Sequence, residues 1–230
     1  MVDGRQRYEI PAGEWVGKDV IFGIKVIGDN GRDAGWSKFV ALTVVPPPER
    51  PSGLHTEAVR EGVRLTWKGQ GVSFRVFRRS QAETNWSLAG STDQPEWTDS
   101  QTQYGKDYQY MVQALVKAGT GEAESDLCEP AAITPVDHFA PAPPAGLTAI
   151  PSAASIELVW ERNTEPDLAG YRIYRSTNNG PLERLAEIRE VPSYSDTKTN
   201  SGKVYRYEIS SFDQSGNESP HSAPVQVTAP

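Results

Sequence analysis

Side chains capable of acid–base or metal chemistry are few and scattered along this sequence. His55, His138 and His221 are its only histidines, and no two have the short spacing that lets a pair share a metal ion. They read as solvated loop or linker histidines. Cys128 is the single cysteine, so neither an intrachain disulfide nor a cysteine-based metal site can be assembled. A free cysteine of this kind reads as a half-buried structural thiol. The sequence contains no G-x-S-x-G, no H-E-x-x-H and no phosphate-cradling glycine loop, the compact signatures of nucleophilic, metallo- and phosphoryl chemistry. The expectation is a protein that is not an enzyme and that holds no cofactor and no metal.

Three local patterns come closer to function. "DNGRDAG" (29 to 35) spaces Asp and Asn two apart, as a calcium loop does, but it lacks the distal Glu, and Asn30-Gly31 is ordinary hairpin-turn chemistry. Its Gly31-Arg32-Asp33 is not in the Arg-Gly-Asp order of adhesion loops. "NWS" (85 to 87) and "NES" (217 to 219) match the N-glycosylation pattern, and the better reading of both is coincidence. Four aromatics fall off the apolar alternation of their segments and are the candidate contacts to a partner: Trp36, Phe77, Trp86 and Tyr174. Phe77 and Tyr174 sit on the opposite strand face from Phe74, Val76, Tyr171 and Ile173, while Trp36 and Trp86 take loop or edge positions. Such rings can stack on sugars or anchor a protein. They can equally pack on a neighbouring domain or on the stems of Arg75, Arg78 and Arg172.

The elements that would position these residues are strands. Eighteen prolines and 20 glycines in 230 residues favour short elements joined by turns. No 3.6-residue apolar period extends beyond a turn or two. The decisive feature is internal repetition. "GKDYQYMVQAL" (105 to 115) alternates Tyr108, Tyr110, Val112 and Ala114, and is echoed by "GKVYRYEISSF" (202 to 212) and "GKDVIFGIKVI" (17 to 27). Upstream, "VRLTWKG" (63 to 69) matches "IELVWER" (156 to 162), and "FRVFRRS" (74 to 80) matches "YRIYRST" (171 to 177). Trp97 and Tyr194 are likewise in register. Proline-rich "PPPERPSG" (46 to 53) and "APAPPAG" (140 to 146) separate the copies as semi-rigid connectors.

This pattern resembles the fibronectin type III family, an immunoglobulin-like seven-strand sandwich. The resemblance covers essentially the whole chain, and the third copy's "YSDTKTNSGKVYRYEISSFDQSGNESPHS" is similar to repeats of bacterial secreted proteins. It implies an all-β fold of tandem sandwiches, with Trp67 and Trp160 as core tryptophans and Tyr108 and Tyr205 as tyrosine corners. Residues 47–137 and 138–230 are then complete domains. Residues 1–46 are the C-terminal half of a repeat, about three strands, with "QRYEIPA" placing Tyr8 near the position of Trp97 and Tyr194. Val20 replaces the corner tyrosine there, so that corner should be weaker, and Val20, Phe22 and Ile24 should present an apolar face to water. That face suggests a fragment of a longer protein, or cover by a neighbouring domain or by self-association.

Thirty acidic against 23 basic residues give a net charge of −7, which repels a phosphate backbone. Nucleic acid is thus excluded as a partner, and no apolar run is long enough for membrane insertion. The reading of function is a non-catalytic spacer or display arm of an extracellular or surface-anchored protein, binding protein or polysaccharide. The alternatives are an accessory carbohydrate-binding region of a polysaccharide-active enzyme and a receptor-like region that binds protein through its sandwich-end loops.

Overall fold

The computed structural model describes residues 9 to 230 apart from Val72, Thr120 and Glu190. The expected Tyr8 lies outside the described residues. The chain forms two compact units, Met1–Val136 and Asp137–Pro230. In the first, two small two-stranded sheets, together the half-sheet, are made of β1 (Asp19–Phe22), β2 (Lys25–Ile27), β3 (Asp33–Trp36) and β4 (Val40–Thr43). β1 pairs with β4 and β2 with β3, both antiparallel. Within the echo at 17 to 27, the single strand expected over "VIFGIKVIG" (20 to 28) is therefore broken at Gly23 and Ile24. Residues 9 to 12, expected to continue a strand, are irregular and lead into a 3-10 turn at Gly13–Trp15.

The rest of the first unit is a sandwich of β5 (Ser52–Val59), β6 (Gly62–Lys68), β7 (Ser73–Ser80), β8 (Ser87–Thr92), β9 (Glu96–Asp99), β10 (Tyr108–Ala118), β11 (Gly121–Glu124) and β12 (Ala131–Ile133). One sheet is ordered β5-β6-β9; the other is β11-β10-β7-β8, with β12 also paired to β10. Alternation in the sequence explains the layering, since every second residue of a strand faces the opposing sheet. Val63, Leu65 and Trp67 of β6 meet Phe74 and Val76 of β7 and Tyr110, Val112 and Ala114 of β10, and all are buried. Burial of each large aliphatic contributes roughly 1.5–3 kcal/mol. Trp67 meets Phe74 edge-on at 5.3 Å.

The second unit repeats this plan with β13 (Thr148–Ser152), β14 (Ser155–Val159), β15 (Leu168–Thr177), β16 (Glu183–Ile188), β17 (Ser193–Asp196), β18 (Val204–Asp213) and β19 (Val225–Thr228). Its sheets are β13-β14-β17 and β16-β15-β18-β19. Ile156, Leu158 and Trp160 face Tyr171, Ile173, Tyr207 and Ile209, and Trp160 meets Tyr171 edge-on at 5.2 Å. In both sandwiches the core indole N–H, at Trp67 and Trp160, has no acceptor. That omission offsets part of the burial gain.

The corner tyrosines are built alike. The Tyr108 hydroxyl accepts the Gln103 backbone N–H at 3.0 Å, and Tyr205 accepts that of Asn200 at 2.9 Å. In the half-sheet, with valine at position 20, the corresponding Trp15 N–H goes to the Ala12 carbonyl instead. The turn before each of these strands is nonetheless the same in three copies. Gly17, Gly105 and Gly202 all have φ of 75° to 80°, conformations glycine adopts without steric cost. Their N–H groups donate to Val44, Pro135 and Ala229 carbonyls at 2.7, 2.8 and 3.0 Å.

Candidate functional site

Buried polar residues are the first place to look for chemistry, and here they form a duplicated scaffold. Asp99 ends β9 with 2% exposure and Asp196 ends β17 with 1%. Asp99 lies 2.8 Å from Arg78 and accepts the Tyr110 hydroxyl at 2.9 Å; Asp196 lies 2.8 Å from Arg175 and accepts the Tyr207 hydroxyl at 2.7 Å. The second oxygen of each accepts a backbone N–H two residues on, from Gln101 and Lys198. Burial, reinforced by the neighbouring carboxylate, pushes both tyrosine hydroxyls far above their ordinary pKa. Burial opposes the charge on Arg78 and Arg175, but the ion pairs outweigh it and hold both above the ordinary value. Sequence reasoning missed these aspartates. The signal for them was the register, because each stands two residues after the aligned Trp97 or Tyr194.

A second repeated device joins the strand after the corner to the chain that follows it. The Ile24 N–H donates to Ser37 Oγ at 2.9 Å, that of Ile209 to Ser222 Oγ at 3.1 Å, and that of Val112 to Cys128 Sγ at 3.1 Å. Return bonds run from the N–H of Ser37, Cys128 and Ser222 to the carbonyls of Ile24, Val112 and Ile209. Cys128 thus stands where the other copies have serine, and burial pushes its thiol pKa up, so the buried thiol is held as a weak nucleophile.

Of the proposed contact residues, Tyr174 has the most elaborate setting. Its ring stacks on His221 at 4.3 Å and 28°, and its hydroxyl donates to Glu218 at 2.5 Å. Glu218 also accepts from Ser210 and Arg172, both at 2.5 Å. Burial works against its ionisation, yet these three donors hold it below the usual carboxylate range. His221 Nδ1 lies 2.9 Å from Glu208, which also pairs with Arg206. Phe77 occupies the same strand position in the other sandwich, paired across to Met111 and Leu88. Trp36 is 62% exposed and packs against Phe39 at 6.0 Å. Because Trp36 directly precedes Ser37 and His221 directly precedes Ser222, these two rings hold equivalent places in their copies. Trp86 stands apart, with the Arg79 guanidinium over its ring at 4.7 Å. No single site gathers the four.

"DNGRDAG" closes the β2–β3 hairpin: the Arg32 N–H donates to Asn30 Oδ1 at 3.1 Å, and the Asp33 carboxylate is engaged by Lys25 at 2.7 Å. A different acidic set, distant in sequence, converges in the second unit. Carboxylate oxygens of Asp137, Asp167 and Asp213 lie within 4.8 Å of one another. Such hard oxygen donors suit Ca2+ or Mg2+. Two of them already fasten loops, since Asp137 accepts from Ser215 and Asp213 from Asn217. Asn217 spends its side-chain amide on Asp213 and on the Asp137 carbonyl, which leaves "NES" poorly placed for glycosylation.

The geometry defines a class: tandem antiparallel β-sandwiches of the immunoglobulin-like type, with buried polar residues committed to corners and strand ends. The particular fold is fibronectin type III. The two-domain fibronectin type III segment of chicken tenascin superposes with a TM-score of 0.50 at 15% identity, covering 78% of this chain and 99% of that one. A Fn3-like protein from Clostridium thermocellum is 29% identical, with a TM-score of 0.35, covering 40% of this chain and 96% of its own. In sequence, exoglucanase B of Cellulomonas fimi is 30% identical over 192 residues, which is 79% of this chain and 16% of that protein. An alpha-amylase of Niallia circulans is 37% identical over 98 residues, 41% of this chain and 7% of its own length. An amylopullulanase of Thermoanaerobacterium saccharolyticum is 34% identical over 84 residues, 36% and 6% respectively. The chain therefore spans under a fifth of each of these relatives. No protein-family profile matches it. Among the described residues no helix is long and apolar enough to cross a membrane.

Proposed function

We propose that this chain is a non-catalytic structural and interaction module, serving as a spacer and display arm within a larger extracellular or cell-surface protein. The observation that carries the reading is the duplication of the buried polar triads, Arg78–Asp99–Tyr110 and Arg175–Asp196–Tyr207. The same three residue types in the same geometry in both sandwiches are a requirement of the scaffold, and both hydroxyls and carboxylates are sealed from any substrate. Residues 1–46 serve as the end of one repeat, with 47–137 and 138–230 as whole domains. The likeness to stretches of an exoglucanase, an alpha-amylase and amylopullulanases supports placement in a protein that handles polysaccharide.

A second reading, direct contact with glycan, is favoured by the exposed aromatic pair Trp36 and Phe39, at 62% and 63%. Flat rings presented to solvent are the surfaces on which sugar rings stack. Co-sedimentation with cellulose, starch and pullulan decides between the two. Retention lost on Trp36→Ala selects the glycan-binding reading; no retention on any of the three selects the spacer.

A further inference from the structure

The half-sheet leaves two needs unmet, one along its edge and one across its face. In the complete sandwiches, β10 receives β7 on the side away from β11 and β12, and β18 receives β15 on the side away from β19. Among the described residues, β1 pairs only with β4 and β2 only with β3, so the corresponding edge of β1 and β2 presents unpaired backbone groups. Such an edge is a template for another strand. The inner face is only partly covered, by the β10–β11 end of the neighbouring sandwich. Val20, Phe22 and Ile24 correspond to Tyr108, Tyr110 and Val112 and to Tyr205, Tyr207 and Ile209, all six of which are buried. In the half-sheet Phe22 is 38% and Ile24 71% exposed. Val20 and Phe22, with Trp15, Leu42 and Val44 on one side and Ala118 and Ala123 of the neighbouring sandwich on the other, line a groove of about 360 Å3, and Ile24 lies outside it.

The two complete copies show what such a face accepts. Turn hydrogen bonds at Gly17, Gly105 and Gly202, and the strand-to-Ser or strand-to-Cys bonds at Ile24, Val112 and Ile209, coincide in all three copies. The half-sheet thus keeps the turn and the strand-to-Ser bonds of a finished sandwich, although its strand is broken at Gly23 and Ile24. We propose that it is the acceptor half of a third sandwich, and that its occupant is a polypeptide segment of chemistry like 47–104. That segment would add one antiparallel strand to the β1–β2 edge and lay a sheet with a Val-x-Leu-x-Trp inner face over Phe22 and Ile24. A small apolar ligand meets the face and leaves the edge unpaired. A second copy pairing edge to edge satisfies the backbone and leaves both apolar faces in water. A strand-plus-sheet segment satisfies both, by the strand-addition mode of recognition.

The test uses the whole chain, with residues 1–12 replaced by an added copy of 47–104. Amide exchange across residues 20 to 26 is expected to slow at least tenfold, and binding of an apolar dye by the unmodified chain to disappear. The same graft carrying Leu65→Asp and Trp67→Asp in the added copy should restore fast exchange. Unchanged exchange with a protease-resistant graft overturns the proposal. So does a graft that stays protease-labile, because the acceptor is then unable to complete the fold. An unmodified chain that sediments as a dimer with residues 20 to 26 already protected overturns it in favour of self-association.

Discussion

The hydroxyl of Tyr207 donates to the carboxylate of Asp196 at 2.7 Å, and the two lie almost wholly out of water at the end of β17. This bond, and its twin between Tyr110 and Asp99, ties the two sheets of each sandwich together at the same corner.

Removing the acceptor is predicted to cost far more than removing the donor. Asp196→Ala leaves the Arg175 guanidinium with only the Lys198 carbonyl as acceptor and the tyrosine hydroxyl with none, and breaking a buried pair of this kind costs about 3 kcal/mol. Tyr207→Phe deletes one hydrogen bond and should cost about 1 kcal/mol. In urea titrations of the whole chain, only the transition of the Asp137–Pro230 unit should move. Equal losses for the two substitutions would show that the ion pair contributes nothing beyond the hydroxyl.

Cys128 offers a substitution whose outcome the molecule itself foreshadows. Serine fills the same place at positions 37 and 222, accepting the same backbone N–H. Cys128→Ser should therefore leave stability within roughly 1 kcal/mol of the parent, whereas Cys128→Ala orphans the Val112 N–H and should cost about 1–3 kcal/mol. Native protein should also resist a thiol-modifying reagent that labels the unfolded chain. Rapid native labelling would contradict the packing.

Acid should loosen the outer face of the second unit. Glu218 has a folded pKa depressed below its ordinary value of 4.5, with Ser210, Tyr174 and Arg172 overcoming the burial that opposes its charge. A depressed carboxylate contributes stability above its unfolded pKa and loses it as pH falls through the folded one. The contribution should thus be intact above about pH 5 and decline below 4.5. Glu218→Gln should flatten that part of the stability–pH profile for the Asp137–Pro230 unit. A variant with the parent's slope would remove Glu218 from the explanation.

The aromatic pair on the half-sheet should behave as a surface feature. Trp36→Ala with Phe39→Ala is expected to change unfolding free energy by no more than about 0.5 kcal/mol, because neither ring is buried. A loss of several kcal/mol would mean the rings hold the half-sheet together.

Much of the fold was legible because sandwich cores follow period 2. Alternation and repetition set Trp67, Trp160, Tyr108 and Tyr205 on one strand face of their copies, the resemblance supplied their roles, and all four are buried. What escaped was chemistry assembled across the sheets. Asp99 and Arg78 are 21 residues apart, and although alternation puts Arg78 on the same face of β7 as Phe74 and Val76, nothing in it says which carboxylate the guanidinium meets. The Asp137, Asp167 and Asp213 set escaped for the same reason, since its members come from an irregular segment, a turn and the last residue of β18. The break at Gly23 was hidden because β10 and β18, the equivalent strands, run unbroken with a neighbour on both sides. Lacking that second neighbour, β1 and β2 part where Phe39 packs over Gly23, at a point a Cβ would occupy.

The proposed role is to bind and space without catalysing. The most direct test is release of reducing ends from cellulose, starch and pullulan by the purified chain, alongside His221→Ala, which disrupts the one carboxylate–histidine pair found among the described residues. Release no greater than the protein-free blank is expected for both proteins. Turnover by the parent that is lost in His221→Ala would contradict it.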